Sequence, residues 1–217
     1  MITSRDNEKL KLVRKLHERR WRDKLGLFFV EGEDLVEAAT AEPVELLVAG
    51  ETVEASLLAE VSTAAHPPRV IGVYRRDDLP RAGARPVALE LHGVGDPGNL
   101  GTLVRTADAF GAAVVLVGCA DPTGPKALRA SAGSIWRVPI VDATRGRRVA
   151  LLAHGGAPLG ELDLRGEVTF LLGAEREGLT ADLPRELDAS IPIAGAESLN
   201  VAAAGAIALY EWRRQNP

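Results

Sequence analysis

Short apolar runs separated by helix-length stretches constrain this chain more than any other feature. Residues 87–91, 113–117, 149–153 and 168–172 are each dominated by Val, Leu and Ala, with no regular polar alternation. A strand that is apolar on both sides must be covered on both sides, which is the condition of a parallel sheet flanked by helices. Residues 99–110 and 125–134 supply helical periodicity between these runs, 138–141 reads as a further strand, and 201–213 closes the chain as a strong helix. The pattern predicts an α/β fold with a parallel sheet and helices on both faces.

The first third has the same alternation on a smaller scale. Leu10, Val13 and Leu16 recur at helical spacing and turn Lys9, Lys11, Arg14, Lys15 and Arg19 toward solvent. Leu27-Phe28-Phe29-Val30 reads as a buried strand, followed by a helix at 34–39, a strand at 44–48, a helix at 52–64 and a strand at 70–74. Residues 79–86 have no periodicity and carry Pro80 and Pro86. We place a linker there, between a small α/β domain at 1–78 and a larger one at 87–217.

Charge and composition exclude several function classes. A net charge of −4 argues against indiscriminate coating of nucleic acid, yet residues 1–25 hold nine Lys/Arg against four Asp/Glu. That segment is where contact with RNA is expected to begin. Cys119 is the only cysteine, and His17, His66, His92 and His154 are scattered, so neither a disulfide nor a metal site is expected. The absence of a bilayer-length apolar run, and the early charges at Arg5 and Asp6, make a cytoplasmic chain without membrane partners the expectation.

Three segments place glycine and polar residues at the end of an apolar run, where open α/β sheets bind ligands. The first, Asp96-Pro97-Gly98-Asn99-Leu100-Gly101, opens into a helix that carries Arg105. Gly98 and Gly101 would let a ligand approach the helix N-terminus, or simply make a tight turn. The second runs Leu172-Gly173-Ala174-Glu175-Arg176-Glu177-Gly178. Glu175 there has several uses open: neutralising an amine, orienting a hydroxyl, pairing with an arginine such as Arg105, or facing water from a turn. The third, from Ile191 and Ile193 to Ser198-Leu199-Asn200, precedes the last helix, with Ser198 as its candidate N-cap. No Ser–His–Asp set accompanies Ser198, so hydrolase chemistry is set aside.

Taken in order, the three segments resemble the signature motifs of the SpoU/TrmH RNA methyltransferases of the SPOUT superfamily, through Asn99, Arg105, Gly173, Glu175, Gly178, Ser198, Leu199 and Asn200. The resemblance covers most of residues 87–215. It implies a trefoil-knotted domain that dimerises, binds S-adenosyl-L-methionine and methylates a ribose 2′-hydroxyl. The cofactor would be held around Leu172, Gly173, Gly178, Ile191, Ile193, Ser198 and Leu199. Arg105 would act on the 2′-hydroxyl or its phosphate, with Asn99 and Asn200 shaping the pocket and Glu175 and Ser198 supporting it. A guanidinium hardly ever deprotonates, so Arg105 is better read as a phosphate clamp than as a general base.

Residues 7–32 also resemble the family's L30e-like substrate-binding extension, which implies RNA contact through Lys9, Arg14, Arg19 and Arg22. Arg129 and Ser131 match a family segment near the RNA entrance; an ordinary amphipathic helix is the other reading. Two departures stand out: Arg176 where many relatives have glycine, and a short 142–148 segment where relatives often place a helix. The separate N-terminal domain favours ribosomal RNA, of the 23S type, over transfer RNA. The rivals are a tRNA 2′-O-methyltransferase and a non-catalytic RNA-binding assembly factor. A nucleotide-dependent oxidoreductase is more distant, because Gly95, Gly98 and Gly101 lack the dinucleotide spacing.

Overall fold

The computed structural model describes residues 1–174 and 176–217. Its first third begins with α1 (Glu8–Leu16), whose N-cap Asn7 accepts a hydrogen bond from the Lys9 amide. Leu10, Val13 and Leu16 on α1 are fully buried, as their spacing predicts. After α2 (Arg19–Leu25) come β1 (Leu27–Glu31), α3 (Glu33–Glu37), β2 (Glu45–Val48), α4 (Ala55–Val61) and β3 (Val70–Arg75). The strands form an antiparallel sheet in the order β1-β3-β2, so the last strand of the region is its centre.

Both faces of β1 are apolar for a physical reason. Phe29 points into a core with Leu10, Val13, Leu16, Leu47, Leu58 and Ile71. Phe28 and Val30, one residue to either side, face the opposite way because strand side chains alternate, and they join the core of the larger region. There Trp136, only 2% exposed, meets the Phe28 ring at 5.5 Å and the Tyr74 ring at 4.8 Å. The small sheet is therefore sandwiched between its own helices and the rest of the molecule.

The larger region holds β4 (Val87–His92), α5 (Pro97–Phe110), β5 (Ala113–Val117), α6 (Pro125–Ser131), β6 (Arg147–Leu152), β7 (Ala157–Pro158), β8 (Val168–Leu172), β9 (Leu187–Ser190) and α7 (Val201–Gln215). Its sheet has six strands in the order β5-β4-β8-β6-β9-β7, and every pairing is parallel. Helices α5 and α7 pack on each other and on the central strands through Leu89, Leu91, Leu103, Phe170, Leu172 and Leu209.

One expected element needs correction, and two short strands had not been expected. Residues 138–141 form no strand: Pro139 has no amide hydrogen to donate, and the segment makes a single bridge, Val114 to Ile140. Strands β7 and β9, too short and too polar to stand out, were not expected. The short 142–148 stretch carries no helix; its loop covers Thr169, whose hydroxyl donates to the Arg145 carbonyl and shares a hydrogen bond with the Thr144 hydroxyl. The 79–86 segment is irregular, as expected, but is tied down where Ile140 donates to the Pro80 carbonyl.

Candidate functional site

The C-terminal ends of parallel strands β6 and β8, and the chain leaving β9, open into one cavity of about 330 Å³. Backbone groups at such strand ends point outward unpaired, which is why ligands gather there in open α/β sheets. Leu172, Gly173 and Gly178 from the second segment line it, with Ile191, Ile193, Ser198 and Leu199 from the third. All seven residues named for cofactor contact therefore share one hollow. The sequence reading missed Leu151, Leu152, Ala153 and His154 on its far wall. They follow β6, and only the parallel order β8-β6-β9 brings their strand end to the site.

Gly173 is required by contact. A Cβ there would stand 2.2 Å from the carbonyl carbon of Gly178, closer than any real contact. The loop folds back on its strand by an Ala174–Gly178 bridge, with the Gly178 amide donating to the Ala174 carbonyl. Glu175, the carboxylate between them, lies outside the described residues, and its expected role stays a proposal. Arg176, the departure from the family pattern, is exposed at the cavity wall beside Glu177.

Helix α7 begins beside the cavity, and its cap differs from expectation. Asn200, not Ser198, is the N-cap: its Oδ1 accepts from the Ala202 and Ala203 amides. The Ser198 hydroxyl has no hydrogen-bond partner among the described residues and faces the cavity. The second polar atom of Asn200, Nδ2, donates to Oδ1 of Asn99 at 3.0 Å. Residues 101 positions apart in the chain are thus joined across the starts of α5 and α7.

The start of α5 does not offer an open anion site. Asp96 occupies it, accepting from the Asn99 amide, and Lys126 holds Asp96 from the other side at 2.7 Å. The Lys126 ammonium and then the Asn99 amide keep the Asp96 carboxyl below its usual range. Gly101 faces away from any ligand: a Cβ would meet the Ala127 carbonyl oxygen at 2.3 Å, so this glycine lets α5 and α6 cross closely. Arg105 projects from the exposed side of α5 and has no hydrogen-bond or ion-pair partner among the described residues.

The residues expected to touch RNA divide. Lys9, Arg14 and Arg19 are on the surface, in ion pairs with Glu45, Glu60 and Asp23. Arg22 is a correction: it is 4% exposed, with Nε on Asp121 at 2.8 Å and Nη1 on the carbonyls of Leu16 and His17. Arg76 meets the same Asp121 oxygen at 2.7 Å. Burial alone would raise the Asp121 carboxyl, but the Thr123 hydroxyl, Arg22 and Arg76 together hold it below the usual carboxylate range. Ser131 is buried as well, its hydroxyl donating to the Leu128 carbonyl. Arg129 reaches back to Glu31 and Thr63 of the small region, so its guanidinium is occupied by a strap between the two sheets. A helix-surface pattern shows that a cation is polar; it does not show what polar group lies opposite.

A parallel sheet with a small-molecule hollow at its strand ends, preceded by a small α/β region, defines a ligand-binding α/β protein. Residues 86–210 match the SpoU rRNA Methylase family, and 7–75 match the MRM3-like substrate binding domain. The chain is 35% identical to the 23S rRNA (guanosine(2553)-2′-O)-methyltransferase RlmP of Bacillus subtilis, over 98% of each. Among solved structures it resembles an AdoMet-bound rRNA methyltransferase from Sinorhizobium meliloti, with TM-score 0.86 and 31% identity over 98% of this chain and 97% of that one. It also resembles the SpoU methyltransferase AviRb from Streptomyces viridochromogenes in complex with AdoMet, with TM-score 0.83 and 26% identity over 97% and 98%. The chain belongs to the SpoU rRNA methylase family and is an S-adenosylmethionine-dependent RNA methyltransferase. Among the described residues no helix is long and apolar enough to cross a membrane.

Proposed function

We propose that the chain methylates a ribose 2′-hydroxyl of 23S ribosomal RNA, with the hollow at the ends of β6 and β8 as its S-adenosylmethionine site. The single observation that carries the reading is the convergence of the second and third segments on that hollow. Its size lies within the range of roughly 300–1,000 Å³ usual for small-molecule sites. Leu151, Leu172, Ile191 and Leu199 offer apolar surface to an adenine ring, while Arg176, Glu177 and Glu197 bring both signs of charge toward an amino-acid end. Gly173 and Gly178 carry no side chains of their own, so the backbone at these two positions stays open to the cofactor.

The bound cofactor supplies a methyl group made electrophilic by its sulfonium. The remaining work belongs to this chain: a weakly acidic hydroxyl must be brought into line, kept from water and relieved of its proton. Arg105, an exposed cation on α5 without a partner among the described residues, is the group we assign to the phosphate beside the target ribose. From there it orients the hydroxyl and stabilises negative charge growing on its oxygen. The Asn99–Asn200 bridge keeps α5, and so Arg105, in register with the cofactor side of α7. Ser198, whose hydroxyl has no partner among the described residues, and Glu175 of the second segment are assigned supporting roles.

Two copies are proposed to pair through the larger region, which we read as trefoil-knotted and separate from a substrate-binding region at 1–78. Ile207 and Tyr210 on α7 are 38% and 61% exposed, an unusual amount of apolar surface on a helix otherwise packed against the sheet. The test of function is transfer of labelled methyl to ribosomal and transfer RNA lacking native methylation, followed by nucleoside analysis. A 2′-O-methylated nucleoside in 23S rRNA is the expected product. Failure to bind S-adenosylmethionine, with no transfer to any RNA, would favour the non-catalytic assembly factor.

A further inference from the structure

We infer that Trp21 on α2, with Lys15 and Lys24, forms a platform on which an unpaired RNA nucleotide stacks. The inference rests on the methyltransferase reading for its partner class and adds a contact site whose residues do not line the cofactor hollow. Three cations gather round the Trp21 ring: Lys24 at 5.1 Å from its centroid, Lys15 at 5.5 Å and Arg20 at 5.7 Å. Trp21 is the only partly exposed tryptophan of the chain's three, since Trp136 and Trp212 are 2% and 5% exposed.

The charges single out the same place. Of the nine Lys/Arg in residues 1–25, Arg5, Lys9, Lys11, Arg14, Arg19, Arg20 and Arg22 each have a carboxylate within ion-pair distance. Lys15 and Lys24 have none among the described residues, and both are exposed against the indole. Two unneutralised ammonium groups beside an aromatic face match the two halves of a single-stranded nucleotide, a phosphate and a flat base. An exposed cation–π contact is weaker than a stacked base, so a base can displace the lysines from the ring while they turn to its phosphates.

The platform is also held still. Arg22, the next residue on α2, is buried on Asp121 of the β5–α6 loop, so α2 is fixed with respect to the larger sheet. A base held at Trp21 would thus set the position of the rest of the RNA relative to the methyl-transfer site.

Tryptophan fluorescence of the full chain tests this directly, because the other two indoles are shielded. Titration with a single-stranded uridine-rich RNA oligonucleotide should quench the emission. Read by the anisotropy of a fluorescein-labelled oligonucleotide, which does not need the indole, Trp21→Ala should weaken binding about tenfold and Trp21→Phe should preserve most of it. The double variant Lys15→Gln/Lys24→Gln should lower the slope of log affinity against log salt by about 1.4, the value for two phosphates on a single strand. Cofactor affinity and melting temperature should not change in any of them. Parental RNA affinity and salt slope in both Trp21→Ala and the lysine variant would overturn the proposal, as would equal quenching by a fully paired RNA duplex. A Trp21 blue shift on phosphatidylglycerol vesicles, with no response to RNA, would overturn it in favour of a lipid surface. Failure of the parental chain to bind S-adenosylmethionine would instead break the methyltransferase reading, and it would leave the quenching result standing.

Discussion

The junction between the two sheets and the corner where α5 meets α7 both collect polar side chains, and they use them in opposite ways. At the junction the charges are paired: Arg22 and Arg76 converge on Asp121, and Arg129 reaches Glu31. At the corner Asn200 donates to Asn99, and Arg105, further along α5, stays in water without a partner among the described residues. A buried ion must be paired to be tolerated at all, so the junction's charges are committed to architecture. An exposed, unpaired guanidinium keeps its donors for something that arrives later.

The sharpest test of this contrast is Arg105→Ala. We expect kcat to fall about a thousandfold, equivalent to about 4 kcal/mol, with cofactor affinity and melting temperature unchanged. Lost cofactor binding with normal turnover of the loaded enzyme would place Arg105 in the wrong role. Arg22→Ala should do the reverse, removing about 3 kcal/mol of stability by leaving buried Asp121 with one fewer partner. Chemical denaturation measures it; a stability within error of the parent would mean the junction is not held by charge.

Acid should loosen the junction before the corner. The Asp121 pKa is depressed in the fold, so its contribution is fully present above the unfolded value of about 3.9. That contribution is lost as pH falls below that value toward the folded one. Melting temperatures between pH 5 and 2 should show this loss in the parent and less of it in Asp121→Asn, which starts out less stable. The smallest expected effect is at the corner: Asn200→Ala should cost about 1 kcal/mol as a lost cap. Asn200→Asp keeps a capping oxygen and replaces the donor to Asn99 with a carboxylate oxygen, so a fall in turnover without a fall in stability would show that the corner needs more than the cap.

Much of this contrast was hidden in the sequence. Arg22 and Arg105 are both arginines on helices, and nothing within a few residues of either distinguishes them. What separates them is Asp121, 99 residues from Arg22, brought alongside by the packing of the small sheet on the large one. Gly101 and Gly173 make the same point. Both belong to glycine-bearing segments that follow apolar strands, yet Gly101, inside α5, is a crossing point of two helices and Gly173 borders the hollow at the ends of β6 and β8. Ser198 was the obvious cap by residue type, and Asn200 took the position, which leaves the serine hydroxyl facing the cavity.

The sequence by itself determined the α/β alternation, the apolar strands and the three segments that carry the chemistry, because periodicity and turn residues act over a few positions. Seven residues of two segments could be assigned to one cofactor site only through family resemblance, and Leu151–Leu152–Ala153–His154 not at all. Strand order decided those, since a parallel sheet assembles its ligand site from strand ends distant in the chain. Tertiary structure also decided which cations remain free, because pairing depends on what is packed opposite rather than on what comes next.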